Sequence, residues 1–136
     1  MAQSNAERVR FANDEIVGKG NLGIVDQIFA TNYVVHAGGQ DSKGAEIVRK
    51  FIGQLRSAIP DLRVVEVEIR LQAGDTIVWQ RTLCGTHKAD MMGIPATGQK
   101  VEWRDMMVTR FDGEKIAEEW MVSELAGQLL SKPPRA

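Results

Sequence analysis

The chain has 136 residues, 43% hydrophobic and 26% charged, with 17 Lys+Arg against 18 Asp+Glu and one cysteine. That is the size of one domain, 1–136, with apolar content enough for one core, which excludes wholesale disorder. A net charge of -1 supplies no basic field for nucleic acid, Cys84 lacks an intrachain partner, and no Cys/His cluster has metal-ligand spacing.

Residues 4–17 read as a helix. Ser4 and Glu7 form a capping box, and Val9, Ala12, Ile16 and Val17 recur at helical spacing before Gly18 and Gly20. Residues 21–30 read as a shorter helix, with Leu22, Val25, Ile28 and Phe29 on one side. Tyr33, Val34, Val35 and His36 form a short β-rich stretch closed by Gly38 and Gly39. Residues 41–58 read as a third helix, striped by Ile47, Phe51, Leu55 and Ala58 and stopped at Pro60.

The period then changes from helical to alternating. Over 62–73, Val65, Val67, Ile69 and Leu71 alternate with Glu66, Glu68 and Arg70, which predicts a strand with the aliphatic set on one face. A turn at Ala73, Gly74 and Asp75 leads to a strand over 76–87, and the loop 88–100 to a strand over 101–111. Asp112 and Gly113 signal a hairpin into a strand over 115–123, a closing helix follows over 124–130, and 132–136 is a tail. Helices followed by antiparallel strands predict an α+β fold, its twisted sheet curling around the helices to leave a cavity at the wide end.

Strand parity singles out two charges. On the more apolar face of 76–87, Ile77, Trp79, Leu83 and His87 are interrupted by Arg81. On that of 101–111, Val101, Trp103, Met107 and Phe111 are interrupted by Asp105. Lone buried charges are costly, so such residues pair with each other or border a wet cavity. A hairpin across 88–100 sets Arg81 opposite Asp105, close enough for a cross-strand ion pair. The plainer expectation is a structural ion pair. The sharper one is a catalytic Asp105 in a Trp- and Met-lined pocket, able to move a proton from a carbon acid, with Arg81 orienting it.

His36, before the glycine turn where it can face the cavity mouth, is a third catalytic candidate beside Asp105 and Arg81, and His36 or His87 is expected to position a polar group of the ligand. No nucleophile elbow recruits either one, and Cys84 has the opposite parity from His87. Trp79, Trp103 and Trp120, with methionines including Met107 and Met121, are the expected lining for a flat, hydrophobic small molecule. The apolar loop 91–98 is read either as a flap over that cavity or as part of a subunit interface. On the outer sheet face Val78, Cys84, Met106 and Val108 supply apolar area for a homodimer. The N-terminal residues lack an apolar run and no stretch approaches a membrane span of roughly 18 residues, so no signal peptide and no membrane contact are expected, and a cytoplasmic protein is.

A series of short strings runs in order along the chain: Val34-Val35-His36, Gly44-x-Glu46, Ile59-Pro60-Asp61-Leu62, Gly85-Thr86-His87, 93–98, 110–116 and Glu119-Trp120. This succession resembles the SnoaL-like polyketide cyclase family across nearly the whole length. The resemblance implies a cone like nuclear transport factor 2, a curved antiparallel sheet wrapped around helices with an internal pocket. It also implies ring closure of an aromatic polyketide ester by intramolecular aldol condensation, with neither metal nor cofactor. The family's acid/base aspartate on the last strand corresponds to Met121 and its accompanying histidine to Met107. Glu119 and Glu124 are the nearest acids to that position. Some relatives of this type are associated with polyketide hydroxylation.

The sequence thus supports a cofactor-independent enzyme acting on a hydrophobic carbonyl compound. Two alternatives stay open: a non-catalytic ligand-binding module, and an epoxide hydrolase-like site made by Asp105, Arg81 and Glu119.

Overall fold

The computed structural model describes residues 3–131, so the tail expected over 132–136 lies outside the described residues. Helix α1 (Asn5–Ala12) opens with the capping box, Ser4 and Glu7 each bonding the other's backbone N–H. The chain then widens into a π-turn over Asn13–Gly18, where the Lys19 N–H reaches back five residues to the Asp14 carbonyl. The second helix is shorter than expected. A 3₁₀ turn (Leu22–Ile24) and α2 (Val25–Ile28) give way at Phe29 to strand β1 (Phe29–Ala37).

The expected helix 41–58 is corrected at its start. Gly38 and Gly39, both at positive φ, make a two-residue hairpin turn from β1 into β2 (Gln40–Lys43), and α3 begins only at Glu46 (Glu46–Ala58). Strands β3 (Arg63–Ala73), β4 (Thr76–Thr86), β5 (Lys100–Asp112) and β6 (Lys115–Ser123) follow, and α4 (Leu125–Leu130) closes the fold. The sheet order is β2-β1-β6-β5-β4-β3. All pairings are antiparallel except β1 with β6, which is parallel.

Strands β4 and β5 alternate strictly between buried and less buried residues, the expected set facing inward. Strand β3 does not keep its expected face. Register shifts between Val64 and Glu66 and between Ile69 and Leu71 insert extra residues, so Val67 and Ile69 stay inward opposite Arg81 and Trp79. Leu71 is displaced outward to 63% exposure, and Val65 is exposed too. Helices α1 and α3 bury Val9, Ala12, Ile52 and Leu55 with the inner face of the sheet in one apolar cluster. The loop 88–99 is pinned by the Lys88 N–H to the Ala58 carbonyl and by buried Met91, and contributes no residue to the cavity described next. No described helix is long and apolar enough to cross a membrane.

Candidate active site

Between the two helices and the inner face of the sheet is a cavity of about 390 Å³. Its walls are mostly aliphatic and aromatic, from Val9, Ile16, Phe29, Val35, Phe51 and Ile116 among others. Lys50 and Gln54, exposed on α3, stand at its rim. Into these walls the fold sets a few polar groups: Asn13, Tyr33, Trp79, Arg81 and Glu119.

Glu119 owes its inward position to a bulge. From the Asp112/Lys115 hairpin an even ladder would set Thr109 opposite Glu118, turning that glutamate inward. Instead the register slips by one residue between Arg110 and Phe111, so Arg110 meets Glu118 and Thr109 meets Glu119. Glu119 is therefore 5% exposed on the cavity face, and Glu118 lies on the outer face bonded to Arg110 and His36.

The Glu119 carboxylate is held at both oxygens. The Tyr33 hydroxyl donates to Oε1 at 2.7 Å, and the Thr109 hydroxyl lies 2.5 Å from Oε2. The Thr109 oxygen in turn accepts from the Trp79 indole Nε1–H at 2.8 Å. An ionised carboxylate only accepts, so the single hydroxyl hydrogen of Thr109 points at Glu119. Burial raises the Glu119 pKa, and the bonds from Thr109 and Tyr33 and the charge of Arg81 oppose that rise. Burial, followed by the charge of Glu119, raises the Tyr33 pKa as well, keeping the phenol neutral.

Arg81 and Asp105 pair as expected across β4 and β5, Nε to Oδ2 at 2.9 Å, both buried. Asn13 in the π-turn accepts from the same guanidinium at 3.0 Å and is itself anchored to the Val9 carbonyl. The guanidinium carbon lies 5.5 Å from the centroid of the Trp79 ring. Arg81 belongs to the cavity wall but Asp105 does not. Asp105 fixes Arg81 from behind, and the carboxylate that faces the cavity is Glu119.

The other candidate residues divide sharply. Trp79, Met107 and Met121 join Glu119 and Arg81 in the cavity wall, Met107 directly opposite Met121. Trp103 is buried in the core without reaching the cavity. His87 is fully buried under the 88–99 loop, where its Nδ1 accepts from the Thr97 backbone N–H. His36 does not face the cavity mouth. It lies on the opposite side of the sheet, stacked at 5.2 Å on Trp120 and bonded to Asp41 and Glu118. Trp120, on the same outer face, is 40% exposed. Glu124 is exposed and paired with Arg104. Among the described residues no group of three His, Cys, Asp or Glu side chains is placed to hold a metal ion.

Tyr33, Thr109 and Asn13 complete the site and were not among the candidates. Each carries a signal in parity. The one tyrosine shares a face with Val35 and Ala37, Thr109 shares one with Met107 and Phe111, and Asn13 interrupts the helical stripe of Val9, Ala12, Ile16 and Val17.

The family described as SnoaL-like polyketide cyclase matches residues 7–130. No curated protein matches the chain. A protein from Acidithiobacillus ferrooxidans, provisionally named a polyketide cyclase, is 25% identical with a TM-score of 0.79 over 97% of both chains. A SnoaL-like protein from Jannaschia sp., provisionally named likewise, superimposes with a TM-score of 0.83 over 100% of this chain and 99% of its own, at 21% identity. AclR from Streptomyces galilaeus, provisionally named a hydroxylase, is 26% identical with a TM-score of 0.72, over 96% of this chain and 100% of its own. The α+β architecture, the curved open sheet and a family match spanning nearly every described residue agree: the chain belongs to the SnoaL-like polyketide cyclase family.

Proposed function

We propose that this protein carries out cofactor-independent acid/base chemistry on a hydrophobic carbonyl compound, polyketide cyclase-like in type, with Glu119 moving the proton. The observation that carries this reading is a carboxylate buried in the wall of an apolar cavity that a buried guanidinium, Arg81, also lines. Folding alone favours hydrocarbon at such a position. Burial shifts Glu119 in the direction that makes a carboxylate a stronger base. The Arg81 guanidinium supplies positive charge for an oxygen that becomes negative when a proton leaves the neighbouring carbon. Met121 and Met107, at the positions the family resemblance gives to an aspartate and a histidine, carry no titratable group. Glu119, two residues before Met121 on the same face, is the acid available in their place.

The test uses β-tetralone, a flat ketone, in heavy water, with deuterium uptake at its α-carbons followed by mass spectrometry. The wild type should accelerate uptake, and Glu119→Gln should lower the rate by about 100-fold or more while β-tetralone still binds. Binding of β-tetralone without accelerated exchange by the wild type would make the protein a ligand-binding module instead, and accelerated exchange untouched by Glu119→Gln would place the base elsewhere. For the homodimer, we propose the outer sheet face, where Met106, Trp120 and Val122 are exposed. Sedimentation of Val122→Lys against wild type tests that surface.

A further inference from the structure

The Glu119 reading leaves the second hydroxyl of the site without a task. Tyr33 is buried on β1, its phenol in the cavity wall and its oxygen 2.7 Å from Glu119 Oε1. The Trp79–Thr109 chain occupies Oε2 with a hydrogen that has no other acceptor among the described side chains. Oε1 is the oxygen bonded by Tyr33, whose phenol lines the cavity.

Resting on the proton-transfer reading above, we infer that Tyr33 is a catalytic residue whose single hydrogen follows the negative charge from Glu119 to the ligand. While Glu119 is ionised, the Tyr33 O–H makes a charge-assisted bond to Oε1, the stronger kind. When Glu119 takes the α-proton, the C–H bond breaks, its electron pair delocalises onto the carbonyl oxygen as an enolate, and the proton bonds to Oε1. The neutral carboxyl is now the poorer acceptor and the enolate oxygen the better one. The Tyr33 hydrogen, never leaving its own oxygen, turns to the enolate. This contact is absent in the bound ketone and present as charge develops, so it lowers the barrier rather than merely tightening binding. The other charges near the carboxylate are Arg81, balanced from behind by Asp105, and Lys50 at the rim. Thr109 and Trp79 are positioning residues in this scheme.

The experiment reads the hydrogen's position without turnover, using para-nitrophenolate as the enolate mimic in a double-mutant cycle. In the Glu119→Gln background, where the phenol is already free to turn, Tyr33→Phe should weaken para-nitrophenolate binding about ten-fold. In the wild-type background it should change binding by less than about two-fold, because the hydrogen is engaged by Glu119. Equal effects in the two backgrounds, or no binding to Glu119→Gln, would overturn the inference. Thr109→Val should weaken the coupling and Thr109→Ser restore it, a rescue that a purely structural role does not give. Loss of β-tetralone exchange in Glu119→Gln is scored separately, so the base and the phenol can fail independently. With β-tetralone, Tyr33→Phe should lower kcat about 100-fold and leave KM nearly unchanged. A raised KM with unchanged kcat would mark a ground-state contact and contradict the inference.

Discussion

Thr109 faces Glu119 rather than Glu118 because β6 carries one extra residue where β5 turns from Arg110 to Phe111. Two adjacent glutamates therefore have opposite fates. Glu119 is buried among cavity groups, and burial raises its pKa. Glu118, on the outer face, is held below the usual carboxylate range by His36 and then Arg110. The pair is an internal control. Glu118→Gln should leave β-tetralone exchange within about two-fold of wild type, whereas Glu119→Gln should remove nearly all of it. Rates measured side by side at one pH decide this.

Burial of Glu119 also leaves a mark on stability. Its folded pKa is raised, so the native state holds a proton that the unfolded chain has released. The stabilising share of the neutral carboxyl is full below the ordinary glutamate value of 4.5 and is lost as pH rises through the folded value. Glu119→Gln lacks this dependence. Its Tm relative to wild type should climb as pH rises above 4.5 and then level off. A difference that is flat with pH would mean the carboxyl is not desolvated.

The Arg81–Asp105 pair holds the guanidinium against the cavity. Removing one partner of a buried pair strands the other charge, so Asp105→Ala should cost about 3–5 kcal/mol in urea unfolding. Arg81→Met combined with Asp105→Leu should cost much less than the two single losses together. Additive losses would show that the two charges do not depend on each other.

His36 belongs to stability rather than to the cavity. Its ring nitrogens meet Glu118 and Asp41 at 2.7 and 2.6 Å, and those bonds, Glu118 first, raise its pKa. The stabilisation is fully present below the ordinary histidine value of 6.5 and disappears as pH rises through the raised folded value. Wild type should therefore lose Tm relative to His36→Gln on the alkaline side of 6.5, and NMR of the ring should show the late deprotonation directly.

Much of the fold was legible because one period dominates each half of the chain. The capping box at Ser4, the alternation of β4 and β5, and the facing of Arg81 and Asp105 follow from local rules and hairpin register. Alternation ceases to decide the facing where one residue changes parity. Bulges in β3 sent Val65 and Leu71 outward, and the extra residue in β6 chose between Glu118 and Glu119, which alternation alone cannot do. The Gly38-Gly39 pair is itself a hairpin signal, and reading it that way would have exposed β2. Strand parity favours Asp105 as the acid, through its place opposite Arg81. Which side of the guanidinium faces the cavity depends on packing against Asn13 and the π-turn, contacts distant in sequence.

Carbon NMR titration of the labelled Glu119 side-chain carboxyl, with and without β-tetralone, reads out whether Glu119 is a desolvated acid open to a ligand. Protonation above the ordinary value of 4.5 is expected, with a shift of that titration when β-tetralone enters the cavity. Titration at or below 4.5, unmoved by β-tetralone, would contradict it.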